Sequence, residues 1–138
     1  MTIVTEWFEQ FNCPPLTPLL WQQGQIALLE GFTNAVLHAH HNLSPITPIE
    51  FVVEISPKIF KISIWDRGNE YDIGITFQHL SQHLSNPDFN PLERESQWGS
   101  IMLLKLINEY DWQIRYIREA DRNCLYIEKA LLQPKKEL

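Results

Sequence analysis

Glu30, Asn34 and His38 recur at every fourth position of the stretch LLEGFTNAVLHAHHN, residues 28–42, with His40 and His41 close behind. On a helix, positions i, i+4 and i+8 drift only modestly around the axis, so the three groups share one stripe. The amide oxygen of Asn34 can ligate a hard cation such as Mg²⁺ while phosphates complete the shell. Glu30, one turn earlier, can orient or deprotonate a nucleophile in the same cleft. His38 has the chemistry of a metal ligand, but HAHH lacks zinc-site spacing. The histidines fit better at a helix C-terminus, where positive charge meets the macrodipole favourably. A plainer reading stands beside the chemical one: an amphipathic helix has a polar face.

Two further stretches carry candidates. In WDRGNEYD, residues 65–72, Asp66 is followed by Gly68. An Asp two residues before a glycine is a common turn. Emerging from a strand beneath the helix, Asp66 can also accept from a ligand donor such as the exocyclic amine of adenine. Gly68 would then let the backbone approach the base. In SQWGSIMLLKL, residues 96–106, Gly99 stands directly before an expected helix. Free N–H groups at a helix start can face a phosphate, although Gln97 and Trp98 supply none of the freedom of a glycine-rich phosphate loop.

These residues need a scaffold. IVTEWFEQF, residues 3–11, spaces Ile3, Trp7, Phe8 and Phe11 as a helix better than as a strand. After a proline-rich break, a long helix is expected from about Leu19 to His41. Its apolar stripe would be Ile26, Leu29, Phe32, Val36 and Ala39. Gly24 and Gly31 fall inside it, either neutral or permitting close approach of another backbone. IEFVVEIS and KIFKISIWD, parted by Pro57-Lys58, read as a hairpin of β-branched and aromatic residues. ITFQHLSQHL reads as a short helix, SNPDFNPLERESQWG as a polar loop of the kind often used for binding, and SIMLLKLINEY as an apolar helix. DWQIRYIREA and NCLYIEKAL close the chain as a second hairpin, with DRN at its turn. This order predicts an α+β fold: a two-layer α/β sandwich, mostly antiparallel, with the helices on one face of the sheet.

The chain has 138 residues, the size of one domain spanning 1–138. Hydrophobic residues make up 44% and charged residues 20%, which argues against wholesale disorder. A net charge of -6 argues against direct nucleic-acid binding, which calls for a basic stripe. Lys135 and Lys136 read as a solvated tail. Cys13 and Cys124 lack metal spacing and fit two reduced thiols. No apolar run approaches the ~20 residues of a membrane span, so a soluble, cytoplasmic protein is expected. Trp21, Trp98 and Trp112 are candidate apolar anchors for a partner, though tryptophan belongs as often to a core.

Taken in order, Glu-x-x-x-Asn-x-x-x-His on a helix, a hairpin ending in Asp-x-Gly, and a loop with Gly before an apolar helix resemble the GHKL ATPase domain. More narrowly, the chain resembles the anti-sigma factor serine/threonine kinases, the switch-protein kinases that control alternative sigma factors in bacteria. EGFTNAVLHAH is similar to their first ATP-binding box, WDRGNEYD to the second and QWGSIMLLKLINEYDW to the third, and the likeness covers a core of about residues 19–130. It implies the Bergerat sandwich, with ATP and Mg²⁺ as cofactors. Asn34 would hold the Mg²⁺ that bridges the phosphates. Glu30 would be the general base for a serine hydroxyl of the substrate protein. Asp66 would read the adenine amine with Gly68 beside it, and Gly99 would lie by the phosphates. The implied partners are a STAS-type anti-sigma-factor antagonist, a sigma factor, and a second copy, since relatives often dimerise.

The chain also departs from that pattern. Glu70 stands where many relatives have a second glycine. ERESQWGS replaces a glycine-rich third box, leaving Arg94 as a candidate phosphate ligand. Cys124 lies near the usual Gly-Thr, and no first strand precedes the first helix. Three readings therefore stand: an ATP-dependent serine/threonine kinase, a catalytically degenerate relative that regulates by binding protein, and a fold put to unrelated use.

Overall fold

Two hairpins of β-branched and aromatic residues make one antiparallel sheet. In the computed structural model, which describes residues 2–36, 48–68 and 98–131, β1 (Glu50–Ile55) pairs with β2 (Ile59–Asp66) and β3 (Gln113–Glu119) with β4 (Arg122–Ala130). The hairpins join through β2 and β4, giving the order β1-β2-β4-β3. This explains the burial of the strands. The central pair is buried even at Ser63 and Cys124, while edge strand β1 alternates between exposed and half-buried positions, and β3 does so up to Tyr116 and is exposed beyond it. The architecture is α+β.

Between β1 and β2, Ser56 Oγ accepts from the Lys58 and Ile59 N–H groups, both at 3.2 Å, and fixes the turn. The second hairpin is tighter than DRN suggests. Its turn is Ala120-Asp121, with Arg122 and Asn123 already in β4 and Glu119 opposite Arg122. Ala120 has φ 55°, the positive angle that two-residue hairpin loops require.

Three helices are described: α1 (Thr2–Glu9), α2 (Pro18–Asn34) and α3 (Trp98–Tyr110). Thr17 caps α2, its hydroxyl accepting from the Leu20 N–H at 3.1 Å, and Pro18 opens the first turn. The buried face of α2 is not the expected apolar stripe. Trp21, Gly24, Ala27, Leu28, Gly31 and Asn34 are buried, whereas Ile26 and Val36 are exposed. The reason is shape. A Cβ on Gly24 would stand 2.6 Å from the Phe60 ring, and one on Gly31 would stand 2.5 Å from Ile64 Cδ1 and 3.0 Å from Leu125 Cδ2. The helix turns its smallest residues to the sheet so that the large side chains of β2 and β4 fill the space between layers. Residues 37–47, including His38, lie outside the described residues, as do the expected helix of ITFQHLSQHL and most of the loop after it.

α3 begins two residues earlier than expected, so Gly99 lies within its first turn rather than before it. Asp111, at φ 59°, ends the helix, and the Trp112 N–H returns to the Leu106 carbonyl at 3.1 Å. Trp21 and Trp112 belong to the core rather than to a partner surface. Trp21 stacks on Phe8 at 5.6 Å and Trp112 meets Phe60 edge-on at 5.7 Å. Their indole N–H groups are also satisfied internally, by the Phe8 carbonyl and the Gln23 side chain. The side chain of Trp98 lies outside the described residues.

Candidate functional site

The glycine contacts fix the direction of α2. Gly24 lies over Phe60 and Gly31 over Ile64, so α2 and β2 run the same way. Seven helical residues advance about 10 Å, and four strand residues about 13 Å. The next helical turn therefore carries Asn34 to the end of the sandwich where β2 delivers Asp66. α3 runs opposite to α2: Trp112, just past the end of α3, donates its indole N–H to Gln23 in the first half of α2 at 2.9 Å, and Leu19, Gln22 and Ile26 share a groove with Lys105, Leu106 and Tyr110. The N-terminus of α3, with Gly99, thus faces the same end. By these directions Asn34, Asp66, Gly68 and Gly99 fall toward one end of the sandwich, although they are up to 65 positions apart in sequence.

Asn34 sits on the buried face of its helix, and its Nδ2 has no hydrogen-bond partner among the described residues. A buried, unpaired amide costs about 1–3 kcal/mol, so an amide kept there calls for a ligand. Its chemistry suits a Mg²⁺–phosphate group, with the oxygen for the cation and the N–H for a phosphate oxygen. Among the described residues, no three His, Cys, Asp or Glu side chains cluster into a metal cage. Glu30, one turn before Asn34, is half-buried, and this burial raises its carboxyl above the ordinary glutamate range. A carboxylate made reluctant to lose its proton is a better base once ionised.

Asp66 ends β2, buried, and its Oδ1 accepts from the Gly68 N–H at 2.9 Å. This is the turn expected from Asp-x-Gly, but a residue missed in the sequence holds it. Asn123, fully buried and opposite Asp66 in the β2–β4 register, donates from Nδ2 to Asp66 Oδ1 at 2.7 Å and to the Gly68 carbonyl at 3.2 Å. Arg118, opposite Asn123 across β3–β4, donates to the Gly68 carbonyl at 2.7 Å and to Asn123 Oδ1 at 2.9 Å. The available signal was the hairpin itself: once its turn is set at Ala120-Asp121, Arg118 and Asn123 must pair. That Asp66 joins them depends on pairing between hairpins, which local sequence does not encode.

Comparison with known proteins gives this arrangement a family. Three curated sequences of the serine-protein kinase RsbW of Staphylococcus epidermidis, two of them from named strains, are each 34% identical to this chain over 88 residues. The match covers 64% of this chain and 55% of the relative, so the chain spans about half the length of the curated relatives it matches. No solved structure matches the chain. Residues 1–129 match the family model described as the histidine kinase-like ATPase domain, which takes in every candidate residue above. The chain, with helices laid on one face of an antiparallel sheet, belongs to the histidine kinase-like ATPase domain family.

Proposed function

We propose that this protein is an anti-sigma regulatory factor: an ATP- and Mg²⁺-dependent serine/threonine kinase that phosphorylates an anti-sigma-factor antagonist of the STAS type, binds a sigma factor, or does both. The observation that carries the nucleotide part is the unpartnered buried amide of Asn34 at the end of the sandwich that also holds Asp66. The kinase part is supported by the likeness to a serine-protein kinase, and the anti-sigma part by the resemblance of the three boxes.

Phosphoryl transfer asks a protein chiefly for positioning and charge neutralisation. Bound Mg²⁺ would supply the charge neutralisation at the phosphates. Asn34 orients the phosphate end through its amide. Asp66 accepts from the exocyclic amine of the base and so fixes the other end. Gly68 leaves room for the base beside it, and the N–H groups of the α3 first turn around Gly99 offer donors to phosphate oxygens. Glu30 takes the proton from the attacking serine hydroxyl.

A second reading is favoured by one specific feature. ERESQWGS has a single glycine where a phosphate lid needs several. A protein with such a lid can keep partner binding and lose efficient phosphoryl transfer.

Calorimetric titration of ATP and ADP, with Mg²⁺ and again with chelator, separates the two. Micromolar, Mg²⁺-sensitive binding supports the kinase, and transfer of labelled phosphate to an antagonist protein completes it. An absence of binding at millimolar nucleotide leaves the binding module.

A further inference from the structure

The corner formed by Asp66, Gly68, Asn123 and Arg118 contains more order than a turn needs. An asparagine side chain can present either its oxygen or its nitrogen to a neighbour. Here the described contacts agree on one choice. Arg118 can only donate, so Asn123 must turn Oδ1 toward it, at 2.9 Å. The Gly68 carbonyl can only accept, and Nδ2 faces it at 3.2 Å. The remaining donation falls on Asp66 Oδ1, at 2.7 Å. Arg118 also anchors the Gly68 carbonyl directly, at 2.7 Å, and thereby the backbone beside Asp66. We infer that Arg118 and Asn123 are positioning residues that form a donor relay onto Asp66. The relay holds its carboxylate as an acceptor turned toward the nucleobase and makes this corner select an adenine-type edge over one bearing a carbonyl.

The inference rests on the reading of Asp66 as the residue that accepts from the base amine. Without Arg118 the Asn123 Oδ1 loses its charged donor and the Gly68 carbonyl loses one of its two donors, so the amide and the backbone that hold the Asp66 carboxylate are both loosened. The carboxylate would then turn away, and the penalty falls on the nucleotide whose recognition needs an acceptor there. Adenine offers an amine at that edge. Hypoxanthine, its analogue, offers a carbonyl oxygen that a carboxylate repels.

The test is titration of the full chain with Mg²⁺-ADP and Mg²⁺-IDP. Wild type is expected to prefer ADP. Arg118→Met, which keeps the stem and removes the donors, is expected to weaken ADP roughly tenfold, the weight of one hydrogen bond to a charged group. IDP should change little, so the ADP:IDP ratio collapses. Arg118→Lys, which restores a donor, is expected to recover much of the ratio. Asn123→Asp, which turns the donor into an acceptor, is expected to lose it at unchanged side-chain size. A purely structural role would weaken both nucleotides alike, and that result would overturn the relay. So would wild-type ratios in Arg118→Met and Asn123→Asp when Asp66→Asn has lost the ratio. If Asp66→Asn itself binds ADP as wild type does, or wild type shows no preference, the adenine reading of Asp66 falls and the relay falls with it.

Discussion

Asn34 and Glu30 answer opposite demands at adjacent turns of one helix. The Asn34 amide is buried with its nitrogen unpartnered among the described residues, so the fold gains little from it. Asn34→Ala is therefore expected to hold or raise the melting temperature, by up to about 1 kcal/mol in stability, while nucleotide affinity falls at least tenfold and loses its Mg²⁺ dependence. A variant that melts several degrees lower but binds Mg²⁺-ATP normally would remove Asn34 from the site. Glu30 makes a prediction in pH. Burial raises its carboxyl above the value of the unfolded chain, so between the two values the folded state holds more proton. Stability should fall as pH rises through that interval. The base needs the ionised form, so the acid limb of any transferase activity should lie above the usual glutamate value of about 4.3. Glu30→Gln should flatten the stability profile there, keep nucleotide binding and abolish transfer. Unchanged transfer would rule out the base role.

At the scale of elements, the helices and hairpins were legible because their signals are local. β-branched and aromatic runs marked β1 and β2, a turn between two short runs marked β3 and β4, spacing marked α1 and α2, and an apolar run marked α3. The facing of α2 was not legible. Periodicity weights large apolar residues, whereas this interface is built from absences at Gly24 and Gly31, with the volume supplied by Phe60, Ile64 and Leu125 of the sheet. The same shift in phase made Asn34 a buried residue. Gly31→Ala tests this account. Helix propensity alone favours alanine by about 1 kcal/mol, but the added methyl would meet two buried side chains at 2.5 and 3.0 Å. Overpacking of this kind costs about 1–3 kcal/mol. The net expectation is destabilisation in a chemical melt. A stabilised Gly31→Ala would mean that the layers are looser than these contacts imply. The β3–β4 turn gives the reverse case. Ala120 holds φ 55°, a region that costs a side-chain-bearing residue roughly 1–2 kcal/mol. Ala120→Gly should therefore raise the melting temperature while leaving the Arg118–Asn123 pairing intact.

At the scale of the whole molecule, what escaped the sequence was the joining of the two hairpins. The β2–β4 register sets Asp66 against Asn123 and Trp65 against Cys124, and such pairing depends on all the layers closing together. The two cysteines turn that cooperativity into a measurement. Both are free thiols: Cys13 is exposed in the loop before α2, and Cys124 is fully buried in β4 between β2 and β3. Burial pushes the Cys124 thiol up to about 11, although a hydrogen bond with the Tyr126 side chain pulls it partly back. At neutral pH it therefore presents almost no thiolate, the form that reacts. A thiol reagent should modify one equivalent, Cys13, at once. The second should react far more slowly, and opening of the central strands that flank Cys124 is the expected route to it. Its rate should then follow the global unfolding rate across a urea series and slow on addition of Mg²⁺-ATP, because a ligand of the folded state holds the sheet closed. Fast modification of both thiols in native buffer would mean that β4 frays independently of the rest. The Asn123 and Arg118 contacts at its first turn would then lack a rigid support.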